Sequence, residues 1–328
     1  MFNYVHEIGL DLGTSNIRIS TKKGIALTEP SIVTMYRSSK TIHAVGITGE
    51  VMLGRTPVGI IAVRPMKDGV ISNYKATEEI LSVCIKKVCS HNIIKPLVVV
   101  SVPGGATEVE KRAVVDALLK SGARKVHIVS APIAAAIGSG CDISRPAGTM
   151  VVDIGGGVTD IAVISMNGIV ASSSVKIAGD RFDDAIVRYV RKKFAIIIGE
   201  KTAESVKKDI GCVAERPENL NREIKGRSLV SGLPQSMLIS SSEIMEALEE
   251  SVNTIIEEII NVLEQTPPEL AGDISDRGII LTGGGSLLYG FDKLISKATG
   301  IKVIIPEDPM STVAKGTGKF LLKKNLLQ

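Results

Sequence analysis

An α/β fold of two related domains, with mixed sheets flanked by helices around a shared cleft, is predicted by three features of the sequence. The first is a duplication. Residues 9–20 and 151–162 each run an apolar strand into Asp-aliphatic-Gly, then small or polar residues, then β-prone residues again. The second is spacing: Asp11 and Asp153 lie about one domain length apart, as two facing copies of a unit would. The third is alternation of strand-like and helical patterns along 328 residues, enough chain to bury two cores.

The elements follow in order. Apolar or β-branched runs predict strands at 7–12, 15–20, 97–102, 126–130, 149–154, 159–165, 168–176, 278–282 and 301–305. Residues 107–120 open with a capping box, Thr107 to Glu110, and place Val109, Ala113, Val114, Ala117 and Leu118 on one helical face. Residues 243–264 repeat the pattern after Ser240 and Glu243, with Ile244, Leu248, Val252, Ile255, Ile259 and Leu263, and Pro267-Pro268 closes that helix. The stretch 217–239, rich in Pro, Gly, Asn and Ser, reads as an irregular insertion or a small subdomain. A last helical pattern covers 287–298.

Composition excludes several classes. A net charge of +4 is too slight for a nucleic-acid binder, and no stacking aromatics accompany basic clusters. Aromatics are 3% with no Trp, which argues against an aromatic-lined sugar or base platform. Cys84, Cys89, Cys141 and Cys212 form no CxxC pair and sit in apolar surroundings, so buried reduced thiols are expected. The sequence begins without a basic-then-apolar signal and has no run near 18 apolar residues, so a cytoplasmic protein is expected.

Three glycine clusters carry the chemistry. In each duplicated hairpin, glycine lets the backbone approach a ligand, and turn N–H groups can cradle phosphate oxygens. Phosphates repel carboxylates, so Asp11 on one side and Asp153 on the other imply a cation between them, Mg²⁺ held through water. The third cluster, Gly283-Gly284-Gly285-Ser286, ends an apolar strand and precedes a helical stretch, leaving room for a flat ring or a phosphate. Neither GxGxxG nor GxxxxGK[ST] occurs at these positions. Asp-Gly hairpins and triple glycines are also common structural devices; the three together favour a bound nucleotide.

These residues resemble, along the whole chain, the actin-like ATPase superfamily and its bacterial MreB (rod-shape-determining) branch. The matching stretches include Asp11-Leu12-Gly13-Thr14, Glu29-Pro30-Ser31-Ile32-Val33 and Arg64-Pro65-Met66-Lys67-Asp68-Gly69. They continue with the run from Met150 to Gly157, Gly179-Asp180, Thr266-Pro267-Pro268, Asp276-Arg277-Gly278 and Leu281-Thr282-Gly283. The resemblance implies an actin-like fold: domain I at 1–146 with a small subdomain near 33–66, and domain II at 147–312 with one near 181–250. The segment 313–328 would return to domain I. It further implies a monomer that binds ATP or ADP with Mg²⁺ and polymerises with itself, or with MreB paralogues, into paired protofilaments. These would lie at the inner face of the cytoplasmic membrane and organise cell-wall elongation proteins, setting cell shape.

Carried over position by position, Asp11 would hold the Mg²⁺ hydration shell, with Gly13, Thr14, Ser15 and Asn16 around the phosphates. Gly155, Gly156 and Gly157 would form the second phosphate hairpin, with Asp153 as the second metal-facing carboxylate. Gly179 and Asp180 match a further nucleotide contact. The run Glu204, Ser205, Val206 and Lys207 matches the ribose-and-adenine helix, and Gly283, Gly284, Gly285, Ser286 and Leu287 match the adenine-side turn. Glu204 and Lys207 lie three apart and so project from one helical face, whether to a ligand or as a solvated pair.

Departures from the family pattern matter most at Ser130-Ala131-Pro132, where the family reads Glu-Glu-Pro. The second Glu positions the attacking water, and a methyl group can neither accept a proton nor orient water. Loss of a positioned base typically costs ~10²–10⁴ in rate. Asp160 remains to orient water, and Asp153 stands beside it, so slow turnover is expected. Arg18 stands where actins have a lysine and either reaches the phosphates or faces outward. Lys315 lies at the nucleotide mouth or faces solvent. Membrane contact would fall to Ile93 and Ile94, worth ~3–6 kcal/mol if fully buried in lipid, aided by nearby lysines; the alternative is that both begin the next strand. Competing readings are a weakly hydrolysing MreB paralogue that co-assembles with and regulates another MreB, a small-molecule kinase of the same fold, and a chaperone-like ATPase.

Overall fold

The computed structural model describes residues 6–89 and 94–322. The first apolar run folds as a meander of β1 (Glu7–Leu12), β2 (Asn16–Thr21) and β3 (Gly24–Pro30). The next strands, β4 (Val33–Tyr36), β5 (Ile42–Val45) and β6 (Ile60–Val63), form a small sheet in the order β5-β4-β6, with α1 (Ile47–Met52) between the last two. A two-stranded ribbon, β7 (Met66–Lys67) and β8 (Val70–Ile71), precedes α2 (Tyr74–Cys89). The chain then returns through β9 (Leu97–Val102), α3 (Glu108–Lys120), β10 (Lys125–Ser130) and α4 (Ala131–Gly138).

The second half repeats the plan. β11 (Thr149–Ile154), β12 (Thr159–Ser165) and β13 (Gly168–Val175) make the meander, followed by α5 (Gly179–Phe194). β14 (Ile196–Ile197), α6 (Glu200–Ile210), β15 (Asn221–Ser228) and β16 (Pro234–Ser240) come next, then α7 (Ser241–Glu264) and α8 (Pro268–Arg277). β17 (Ile279–Thr282), α9 (Phe291–Thr299), β18 (Val303–Ile304) and α10 (Thr312–Phe320) complete the described chain.

The two large sheets have matching order, β10-β9-β1-β2-β3 and β18-β17-β11-β12-β13. In both, the meander is antiparallel and the two later strands add in parallel on its far side. The parallel strands are apolar on both faces because both faces are covered. Val98, Val100 and Val102 pack outward with α2 and α3, whereas Val99 turns inward. Met150, Val152 and Ile154 pack outward with α5 and α7, whereas Val151 turns inward. The inward residues meet α4 and α10, which lie between the sheets and share one core through Ala134, Ala135, Ala136, Val313 and Phe320.

Small residues let these two central helices cross closely. A Cβ on Gly138 would overlap the carbonyl oxygen of Thr312, and one on Gly316 would overlap that of Ala134. On its other side α10 lies against β1, where a Cβ on Gly9 would sit 2.6 Å from the Gly318 nitrogen. The Ser20 and Thr317 hydroxyls meet at 3.4 Å.

Several expectations need correction. The strand expected at 301–305 is two residues long, because β18 pairs only along Ile279 and Ile280. The helix expected from 287 begins at Phe291: residues Gly284–Leu287 form a 3₁₀ turn, and left-handed Gly290 (φ 86°) resets the chain. The stretch 217–239 is mostly a hairpin, β15–β16, with ladder pairs from Asn221↔Ser240 to Arg227↔Pro234. Its outer face is polar and exposed, so it lacks the apolar run that marks a central strand. Cys141 is half-buried, unlike Cys84, Cys89 and Cys212. Both predicted capping boxes are present, at Thr107 and Ser240.

Candidate functional site

The matching sheets bring the two Asp-Gly hairpins tip to tip. A Cβ on Gly156 would overlap the Ser15 hydroxyl and lie 3.3 Å from the Ser15 nitrogen. One on Gly157 would sit 2.5 Å from the Thr14 hydroxyl and 3.0 Å from the Asp68 nitrogen. Glycine suits both positions because the Ser15 and Thr14 side chains, and the Asp68 backbone, approach so closely. Buried Thr14 accepts a hydrogen bond from the Gly69 amide at 3.2 Å, which ties the first hairpin to the β7–β8 ribbon. The Ser15 carbonyl accepts from Ser31 at 2.9 Å. The backbone amides of Thr14, Ser15, Gly156 and Gly157 find no protein acceptor among the described residues. Four such donors, converging from two turns, are suited to anionic oxygens.

Carboxylates crowd beneath the hairpins. Asp11 pairs in register with Arg18, whose guanidinium lies 3.7 Å from the carboxylate. The Ser101 hydroxyl donates to Asp11 at 3.4 Å. Arg18 therefore faces the cleft rather than solvent, and only 13% of its side chain is exposed. Burial raises the Asp11 pKa, against the pull of Arg18 and Ser101. Asp153 is pushed up to about 8 by burial and then by the charges of Asp160 and Asp11, with Arg18 opposing. Asp160 is raised to about 6 by burial, opposed by bonds from Ser174 and from the Gly104 amide at 2.9 Å.

Among the described residues no three or more His, Cys, Asp or Glu are disposed to grip a metal ion directly. Asp153, repelled by both Asp160 and Asp11 beside one guanidinium, nevertheless makes a setting that suits a divalent cation held through its water shell. Asp11 and Asp153 fit that role by position.

A pH dependence follows. Asp153 and Asp160 have raised pKa values in the fold, so the stability tied to their protonated forms is complete below about pH 4. It is lost as pH rises through about 6 for Asp160 and about 8 for Asp153. With a chelator and no nucleotide, stability should fall by on the order of several kcal/mol between pH 4 and 8. Thermal melts should show Asp153→Asn flattening the pH 6–8 portion; a variant that keeps the wild-type slope there would place the effect elsewhere.

The remaining positions surround these hairpins unevenly. The Gly179 and Asp180 amides, which open α5, donate to the Gly155 and Gly156 carbonyls at 3.1 and 2.7 Å. Lys207 does not project freely beside Glu204. Its ammonium donates to the Gly179 carbonyl and pairs with Asp183, both at 2.9 Å, so it braces the start of α5. Glu204 pairs instead with Lys208 at 2.6 Å, one helical turn on. Ser205 accepts from Arg222 at 2.8 Å, and Val206 is wholly buried in the core.

In the third glycine turn, Gly283 needs its positive φ of 82° and Gly285 is packed against Ile154. Ser286 is buried, with its hydroxyl donated to the Gly283 carbonyl at 2.6 Å. Gly284 faces open space and Leu287 is 58% exposed, so these two are accessible to a ligand. Lys315 pairs with Asp308 at 2.8 Å. Ile93 lies outside the described residues; Ile94 precedes β9, is 54% exposed and so is not core.

Sequence reasoning missed four positions. Gly104 reaches from the first half to Asp160 of the second, and a glycine pair after a strand was the signal for it. Ser101 supports Asp11. Arg64 draws on both Asp180 and Glu204, although nothing local announces that. Lys201 of α6 donates to the carbonyl of Glu50 in α1, joining the two small subdomain regions above the cleft.

Ala131 is the first residue of α4 and is buried, with Pro132 in the second position. A Cβ on Gly104 would lie 3.3 Å from Asp160 Oδ1 and 3.6 Å from Pro132 Cγ. The first turn of α4, Gly104 and Asp160 are thus neighbours, and a methyl group stands where a longer side chain would enter.

The MreB/Mbl protein family matches residues 5–328. The cell shape-determining protein MreB of Escherichia coli (strain K12) is 48% identical over 325 residues, covering 97% of this chain and 94% of that protein. The cell shape-determining protein Mbl of Bacillus subtilis (strain 168) is 46% identical over 320 residues, covering 97% and 96%. MreB5 of Spiroplasma citri, solved bound to ADP and also to AMPPNP, superimposes with a TM-score of 0.92 at 38% identity over 97% of each chain.

Proposed function

The chain belongs to the MreB/Mbl family and has the actin-like fold, and from that premise we propose that it is an ATP-binding cytoskeletal protein that polymerises and helps determine bacterial cell shape. The carrying observation is the pair of glycine hairpins meeting tip to tip, with unsatisfied amides above three carboxylates. The nucleotide-bound state of Spiroplasma citri MreB5, similar over 97% of the chain, supports the same reading. The units at 1–146 and 147–312 act as the two domains of the nucleotide cleft.

Thr14, Ser15, Gly156 and Gly157 present their amides to the phosphates, and Gly284 and Leu287 border the base. Asp11 and Asp153 would hold Mg²⁺, which would supply charge neutralisation for the phosphates. Arg18 neutralises Asp11 and leaves the floor of the site less negative. Lys207 and Asp183 fix the start of α5 against the second hairpin. Hydrolysis is slow because Ala131 offers no group to orient water, leaving the carboxylate of Asp160, held by Gly104. Filaments lie at the inner membrane face, with exposed Ile94 among the lipid contacts.

Ala131 also favours a second reading, a weakly hydrolysing paralogue that co-assembles with another MreB. Sedimentation with Mg-ATP, Mg-ADP or no nucleotide separates the two, alongside calorimetric titration of nucleotide. Pelleting that strengthens with ATP supports self-assembly. Nucleotide binding without pelleting, unless a second MreB is added, favours co-assembly. Absence of nucleotide binding overturns both.

A further inference from the structure

The Asp276-Arg277-Gly278 motif plays no part in the nucleotide cleft. It lies beside a cavity of about 400 Å³ lined by residues from both halves of the chain. Ser139, Cys141, Asp142 and Arg145 follow α4, while Thr149, Ile280 and Ile304 come from the second sheet. The volume falls in the range of small-molecule sites.

Ile280, Ile304 and Pro306 give the lining an apolar part, and its charged groups are Asp142, Arg145 and Arg277. Arg145 is neutralised by Asp142 at 2.9 Å. Arg277 forms no ion pair among the described residues. It is near enough to pull the Cys141 thiol pKa down against burial, as does Lys319. Lys319 is anchored on the Ile137 and Gly138 carbonyls at 2.9 and 3.3 Å, so it stays close to the cavity. Gly278 is held in place by its φ of 94° and by Lys302, whose carbonyl would lie 2.7 Å from an added Cβ. The guanidinium one residue earlier is therefore carried on a constrained backbone.

We propose that this cavity binds a small amphipathic anion, with its apolar body against Ile280, Ile304 and Pro306 and its charged group on Arg277. Because residues 139–145 and the second sheet both line it, occupancy depends on how the two halves sit relative to each other. The ligand class is a carboxylate or sulfonate on an apolar body, and the site is separate from the nucleotide cleft.

The test uses the full chain and 8-anilinonaphthalene-1-sulfonate, followed by its fluorescence and by alkylation of Cys141, with peptide mass spectrometry resolving each cysteine. Saturable binding should slow Cys141 alkylation at least fivefold, and Arg277→Ala should weaken binding roughly tenfold. Arg277→Lys should restore most of the loss. Circular dichroism and nucleotide binding of the variants serve as the check on folding. Unsaturable binding, unchanged affinity in folded Arg277→Ala, or unchanged Cys141 alkylation at saturation would each overturn the proposal.

Discussion

Replacing Gly316 with alanine should destabilise the protein by about 3 kcal/mol or more, a fall of roughly 4 °C or more in thermal midpoint for a chain of this size. The added methyl would overlap the Ala134 carbonyl oxygen and lie 2.5 Å from its carbon and 2.9 Å from its Cα. All three are backbone atoms of α4, so no side chain can swing aside. Relief requires the two central helices to part, which opens the core that both sheets share. Local propensity works the other way: Gly316 lies within α10, where alanine is favoured by roughly 0.5–1 kcal/mol. A net loss therefore isolates packing. Gly272→Ala in α8, where an added Cβ meets nothing within 4 Å, is the control and should be neutral or slightly stabilising. A Gly316→Ala midpoint at or above wild type would falsify this account of the helix crossing.

The second large effect is a gain of function. Ala131→Glu should raise phosphate release by ~10² or more, because a carboxylate able to orient water typically contributes ~10²–10⁴. The position tolerates the charge, since residue 131 opens α4 and a negative group near a helix N-terminus is favoured. Asp160 lies nearby, held by the Gly104 amide. Its raised pKa makes it a poorer anion than an ordinary aspartate below about pH 6. Single-turnover phosphate release, with nucleotide affinity measured separately, distinguishes faster chemistry from tighter binding. Equal rates for the wild type and Ala131→Glu would mean that the methyl group is not what limits turnover.

What could be read from the sequence follows from what each element must bury. β9, β11 and β12 are apolar on both faces and stand out as unbroken runs. The capping boxes at Thr107 and Ser240 are local signals and were read directly. β4, β5 and β6 are only four residues each, β5 and β6 are half-exposed, and β15 and β16 are exposed along much of their length, so their patterns resemble loops. At the site, Asp11 and Asp153 were legible because the hairpin repeats. The brace between Lys207 and Asp183 was not, since it joins two helices through a contact that no local spacing encodes. The orientation of Arg18 was decided by strand register: pairing opposite Asp11 places both side chains on one face.

The docking of α10 on β1 carries a consequence for biosynthesis. Ser20 is made 297 residues before Thr317, and Thr317 and Gly318 cover Gly9 and Ser20. At ~5–20 residues per second the ribosome needs roughly 15–60 s to close that interval. Until then the inward face of the first sheet lacks α10, its closing layer. A nascent chain of this protein should thus hold an adhesive half-finished surface throughout that interval, and a premature stop just before α10 should release a chaperone client rather than a shorter working protein.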